Sequence, residues 1–177
     1  YEAAYELYVE EMARKRFIYA RDTIDFGGLS HIPAEEFFGA ALWQLSKGIE
    51  APYKSILKLL LIESYAREYP AVELLSRHFK QSVYDGVSDP QLLDPYMLML
   101  QKVTDYLQRQ DERQRLALAH RCFYFKADIR LSEKAAGRRS EVSRRELLQE
   151  LTKSWGWSQA DLMLMDARKQ WRVHRVL

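Results

Sequence analysis

Cysteine occurs once in this chain, as Cys122, so no internal disulfide is available and a reducing, cytoplasmic setting is expected. No apolar run approaches the roughly 18–20 residues needed to span a bilayer, and no stretch reads as a signal peptide. A dominant charge is missing too: 27 Lys and Arg face 25 Asp and Glu, and a net +2 excludes strong whole-molecule attraction to nucleic acid or membranes. The common phosphate-cradling loops, Gly-x-x-x-x-Gly-Lys-Ser/Thr and Gly-x-Gly-x-x-Gly, do not occur. Nor does Asp-x-Asp, so a two-metal site complete within this chain is not expected. Four histidines, His31, His78, His120 and His174, lie too far apart to share ligand spacing, and no metal residue is assigned.

What is present is an apolar share of 47% with 12% aromatic residues over 177 positions, enough for one domain with a core. Periodicity is helical throughout, without strand alternation or hairpin signals. The spacing predicts helices over Tyr1–Lys15, Pro33–Lys47, Pro52–Glu68, Ala71–Tyr84, Pro95–Gln110, Asp111–Ala135 and Ser140–Trp155, then from Ser158 onward. Phe17 to Ile32 is less regular, with a turn at Gly27-Gly28. Gly48 and Gly156 serve as stops, Asp94 caps a helix with Pro95 at its first position, and Ser158 with Asp161 forms a capping box. The fold class is all-α: a single helical domain, residues 1–177, of about eight helices. The chain opens on Tyr1 rather than Met and enters a helical pattern at once, as expected of a piece of a larger protein.

One stretch stands out chemically. After Pro52, the helix carrying Ile56, Leu57, Leu59, Leu60, Leu61 and Ile62 is apolar almost all round and is expected to lie among other helices. It nevertheless places Lys54 and Lys58 one turn apart on one face. Near the positive end of the helix dipole, two ammonium groups form a focus for an anion such as phosphate. The same residues also fit a core helix with one wet face, Glu50 and Lys54 pairing at i,i+4.

Other candidates are better explained by packing. Cys122 lies within Arg121-Cys-Phe-Tyr-Phe-Lys126 and reads as a buried thiol. Three consecutive aromatics on a helix point in different directions, so at least one of Phe123, Tyr124 and Phe125 enters the core. From Arg113 to Arg145, ten Lys and Arg face three acids, which suits a solvated or domain-docking face better than nucleic acid. Trp43, Trp155, Trp157 and Trp171 are read as core or interface residues, with Trp155-Gly-Trp157 locking two helices by packing.

A longer pattern carries a resemblance. Phe26-Gly-Gly-Leu29, Ile32-Pro-Ala-Glu-Glu-Phe-Phe-Gly-Ala40, Leu42-Trp-Gln-Leu45 and Ala51-Pro-Tyr-Lys54 occur in order. Glu68-Tyr-Pro70, Leu93-Asp-Pro-Tyr96, Arg121-Cys-Phe-Tyr124, Trp155-Gly-Trp157 and the run Asp166 to Trp171 follow. This series resembles the class I adenylate cyclases of gamma-proteobacteria. The resemblance implies part of an enzyme that converts ATP to 3′,5′-cyclic AMP and pyrophosphate, with two Mg²⁺ ions held by an upstream nucleotidyltransferase-like core. This chain corresponds to the helical segment after that core and is expected to be inactive alone, with no catalytic residue of its own. By analogy with nucleotidyltransferases, Lys54 and Lys58 become candidates for the triphosphate, Tyr53 for the base or ribose, and Lys47 as a further contact. The flanking catalytic and regulatory domains are the implied partners, with the sugar phosphotransferase system reached through the regulatory half. The alternative is a non-catalytic module coupling those halves, docking through the Arg113–Arg145 face and the Trp155/Trp157 corner.

Overall fold

The apolar stretch after Pro52 forms a helix, and the core gathers around it. The computed structural model describes residues 2–16, 32–87, 89, 93–133 and 139–173, among which eight helices and no strand occur. The helices are α1 (Glu2–Arg14), α2 (Ala34–Gly48), α3 (Pro52–Glu68), α4 (Leu75–Tyr84), α5 (Pro95–Arg109), α6 (Arg113–Ala127), α7 (Arg139–Ser154) and α8 (Gln159–Val173). The expected turn at Gly27-Gly28, His31 and His174 lie outside the described residues, as do the surroundings of Trp171.

α3 packs against α2, α5 and α6, which is how a helix apolar on several sides is satisfied. Its buried residues are Ser55, Leu57, Leu60 and Ser64, and the Ser64 hydroxyl donates to the Leu61 carbonyl at 2.7 Å. α4 leans on α5, and α8 on α6. Met99, Leu100, Val103 and Leu107 of α5 meet Ala119, Cys122, Phe123, Tyr124 and Phe125 of α6 in one cluster, joined by Leu148 of α7 and Met165 of α8. All three consecutive aromatics are therefore core residues. Cys122 is buried and burial pushes its thiol up to about 11, so it is an inert packing group.

Local signals act where the sequence places them. The Asp94 carboxylate accepts from the Tyr96 and Met97 amides at 2.8 and 3.0 Å. The Ser158 hydroxyl accepts from the Asp161 amide at 3.2 Å while Asp161 accepts from the Ser158 amide at 2.8 Å, completing the capping box. Gly156 has φ +74°, the left-handed turn that lets Trp155 and Trp157 both pack inward. Trp155 stacks on His120 at 4.4 Å and meets Phe123 edge-on, while Trp157 tilts against Tyr124 at 5.2 Å.

Two helices are shorter than expected. α4 begins at Leu75 rather than Ala71, because side chains of α3 take the preceding amides: Glu73 N donates to the Glu68 carboxylate and Leu75 N to the Tyr65 hydroxyl. α6 runs from Arg113 to Ala127 rather than from Asp111 to Ala135. Asp111 and Asp128 both adopt left-handed backbone, closing off its two ends. Beyond Asp128 the chain is claimed by buried polar groups. Asp166 accepts from the Tyr124 hydroxyl at 2.6 Å and from Ser132 N at 2.8 Å; Lys169 donates to the Ile129 carbonyl at 2.6 Å. Arg145 of α7 donates to the carbonyls of Arg130, Leu131 and Glu133. Buried polar groups need partners, and here the α6–α7 connection supplies them in place of further helix. Burial pushes the Lys169 amine down to about 8, and burial with the Asp166 hydrogen bond pushes the Tyr124 hydroxyl up.

Two outcomes follow from these buried groups. Asp166→Ala strands the Tyr124 hydroxyl and Ser132 amide and removes one of the two carboxylates that favour the Lys169 charge, so urea unfolding should report a loss of about 3 kcal/mol. Burial holds His120 down at about 4 against an ordinary 6.5, and its Nε2 atom is buried without a partner. Between those pH values the unfolded chain binds a proton that the folded chain refuses, so stability falls as pH drops through that window, by up to roughly 3 kcal/mol. His120→Phe keeps a ring against Trp155 and should flatten this dependence in urea titrations compared at neutral pH and near pH 4.

Candidate functional site

The four residues singled out from the sequence do not share one surroundings. Lys54 and Lys58 stand exposed on the first turns of α3, as the spacing predicts. The α3 N-terminus has no side-chain cap and no acid in its first turn, so its positive end is not neutralised locally. The expected Glu50–Lys54 ion pair is not formed, and none of the ion pairs among the described residues includes Lys54 or Lys58. Tyr53 turns inward: its ring stacks on Phe125 at 4.4 Å and 18°, fastening the start of α3 to α6. Lys47 belongs to α2, where its ammonium lies 5.2 Å from the ring centre of the exposed Trp43.

Lys58 opens onto a groove of about 680 Å³ between α3, α4 and α5, a volume in the range of small-molecule sites. Leu61, Ile62, Leu75, Phe79, Leu98 and Met99 make its apolar lining, and Gln44 reaches it from α2. Among the described residues its charged lining is Lys58 and Lys80, with no carboxylate. Such a groove suits an anion with an apolar or aromatic body. Lys54 is not among the lining residues, so the two lysines share a helix face but not a cavity.

Elsewhere several charges are committed to the fold. Arg115 grips Glu63 with both guanidinium nitrogens, and the Tyr106 hydroxyl donates to the same carboxylate at 2.7 Å, tying α3, α6 and α5 together. The Arg115 hydrogen bonds hold the Glu63 carboxyl below its usual range against its partial burial, with Tyr106 adding to the effect. Lys102 of α5 pairs with Glu68 of α3 at 2.7 Å. Part of the basic run from Arg113 is engaged within the domain, while Arg121 and Arg144 stand exposed. Arg113 pairs with Asp111, Arg130 with Glu133, Arg145 is bonded to backbone, and Lys126 lies 3.4 Å over the Tyr96 ring. Trp155 and Trp157 are partly buried and pack against the core.

Sequence reading did not single out Asp166 and Lys169 as core residues, although the signal was available. They fall on the same helical stripe as Leu162 and Met165, at i+4 and i+3 spacings, where a charge needs a buried partner. Closed off at 4% and 5% exposure, this cluster offers no route to a substrate and positions backbone instead. No group of three or more His, Cys, Asp or Glu that could hold a metal ion occurs among the described residues. No helix among them is long and apolar enough to cross a membrane.

These residues define an all-helical domain with a lysine-bearing helix at its centre. The family model for adenylate cyclase, class-I, second domain matches residues 32–177, and the chain belongs to that family. The adenylate cyclase of Salmonella typhimurium is 43% identical over 176 residues, covering 99% of this chain and 20% of that protein. That of Escherichia coli K12 is 42% identical with the same coverage, and that of Pasteurella multocida 40% identical over 99% of this chain and 21% of its own length. The chain spans about a fifth of the length of these curated relatives. No solved structure matches it.

Because Lys54 and Lys58 are exposed and outside the ion pairs of the fold, Lys54→Ala/Lys58→Ala should leave the urea midpoint of this chain nearly unchanged, within about 0.5 kcal/mol.

Proposed function

We propose that this chain is the helical domain of an adenylate cyclase that converts ATP to 3′,5′-cyclic AMP and pyrophosphate, and that α3 presents Lys54 and Lys58 to the triphosphate. The observation that carries the first part is the family match over residues 32–177, with relatives named adenylate cyclase aligned to 99% of the chain. The second part is supported by two exposed ammonium groups at an uncapped, acid-free helix N-terminus. In this reading Lys54 and Lys58 attract the polyphosphate and offset the charge that gathers on the departing pyrophosphate. Tyr53 sets the first turn of α3 against α6 through its stack on Phe125, and Lys47 extends the positive surface from α2. Mg²⁺ belongs to a catalytic core outside these residues, and the flanking catalytic and regulatory segments of the same polypeptide are the partners. Control through the sugar phosphotransferase system is assigned to the regulatory segment.

The test is cyclic AMP formation from Mg-ATP by this chain alone and by the chain joined to the preceding core. The joined form should be active and this chain inactive. Lys54→Ala/Lys58→Ala in the joined form should lower kcat/KM at least about tenfold with folding unchanged. Equal kcat and KM in the lysine variant would remove α3 from the site.

A further inference from the structure

α2 carries more apolar surface than its neighbour covers. The row Phe37, Ala41, Gln44 and Gly48 is half-buried, and Phe37 reaches Tyr65 and Tyr69 of the α3 end at 6.4 Å. One residue further along, about 100° round the helix, Phe38, Leu42, Leu45 and Ile49 repeat the same 4-3-4 spacing. These four are 68, 51, 59 and 87% exposed. Single exposed apolar residues are ordinary, but four in register form a seam with the spacing of a coiled-coil contact. α3 is the helix packed broadly on α2 among the described residues, and it occupies the other row.

Position along the chain identifies what meets this seam. The family match begins at residue 32, two residues before α2, and its description is that of a second domain. α2 is therefore the opening helix of that domain, at the junction with the family's first domain. The chain accounts for about a fifth of its relatives' length, so ample polypeptide exists outside it to cover the seam. We infer that Phe38, Leu42, Leu45 and Ile49 seat the first domain of the same polypeptide, which meets them with an apolar helical face. The seam rests on the family membership and on exposure, not on the lysine reading of α3.

Thiol labelling tests this cleanly, because the natural Cys122 is buried at 1% exposure with its thiol pushed up to about 11. Leu45→Cys and Ile49→Cys probe the seam, and Gln108→Cys on exposed α5 surface is the control. Iodoacetamide labelling is followed peptide by peptide by mass spectrometry, in this chain and in the chain joined to the first domain. Circular dichroism and an unchanged Gln108→Cys rate verify folding of each variant. In this chain all three sites should label at similar rates; in the joined polypeptide the two seam sites should slow at least about tenfold while the control does not. Seam sites that label equally fast in both forms overturn the inference. Protection already present in this chain, growing with protein concentration, overturns it as well and makes a second copy the occupant.

Discussion

The organisation of this domain follows from one constraint: α3 has apolar residues on more sides than a single neighbour can cover. Leu57 is fully buried and Leu60 nearly so, and the helix meets α2, α5 and α6 together. Each such side chain contributes about 1.5–3 kcal/mol when removed from water, which favours surrounding the helix over leaving a face exposed. The buried Ser55 and Ser64 are small, as close approach between helices requires. What α3 keeps in water is the strip carrying Lys54 and Lys58. The candidate anion site is therefore the remainder of the packing problem, located where the neighbours stop.

Polar groups then set how the helices sit. Glu63 lies between Arg115 and Tyr106, so one carboxylate spans α3, α6 and α5. Asp166 and Lys169 do the same between α8 and the connection after α6. Hydrogen bonds of this kind add modest net stability each, but leaving one partner unmade is costly, so they select a single arrangement among many apolar packings. The consequence for function is a rigid frame that presents α3 on one side and the uncovered seam of α2 on another.

The sequence was legible wherever the cause is local. Asp94 with Pro95, Ser158 with Asp161, and Gly156 act within one turn, and their structures match the expectation. Helix ends determined by distant side chains were not legible. α6 stops at Ala127 because Asp166, Lys169 and Arg145 approach from α7 and α8, and nothing near Asp128 announces them. Within the basic run from Arg113 to Arg145 the pairing of Arg115 was not legible, since its partner Glu63 is 52 residues away in the chain.

By itself, the sequence determined an all-helical fold, the pairing of Lys54 with Lys58 on one face, and the family to which the chain belongs, because periodicity and residue order are written along the chain. Only the tertiary structure decided that Tyr53 stacks on Phe125 at the edge of the core, that Lys58 and not Lys54 opens onto the groove, and that one apolar row of α2 is half-buried while the next is bare. Those outcomes depend on which surfaces compete for burial against α3, and that competition is settled by all the helices at once.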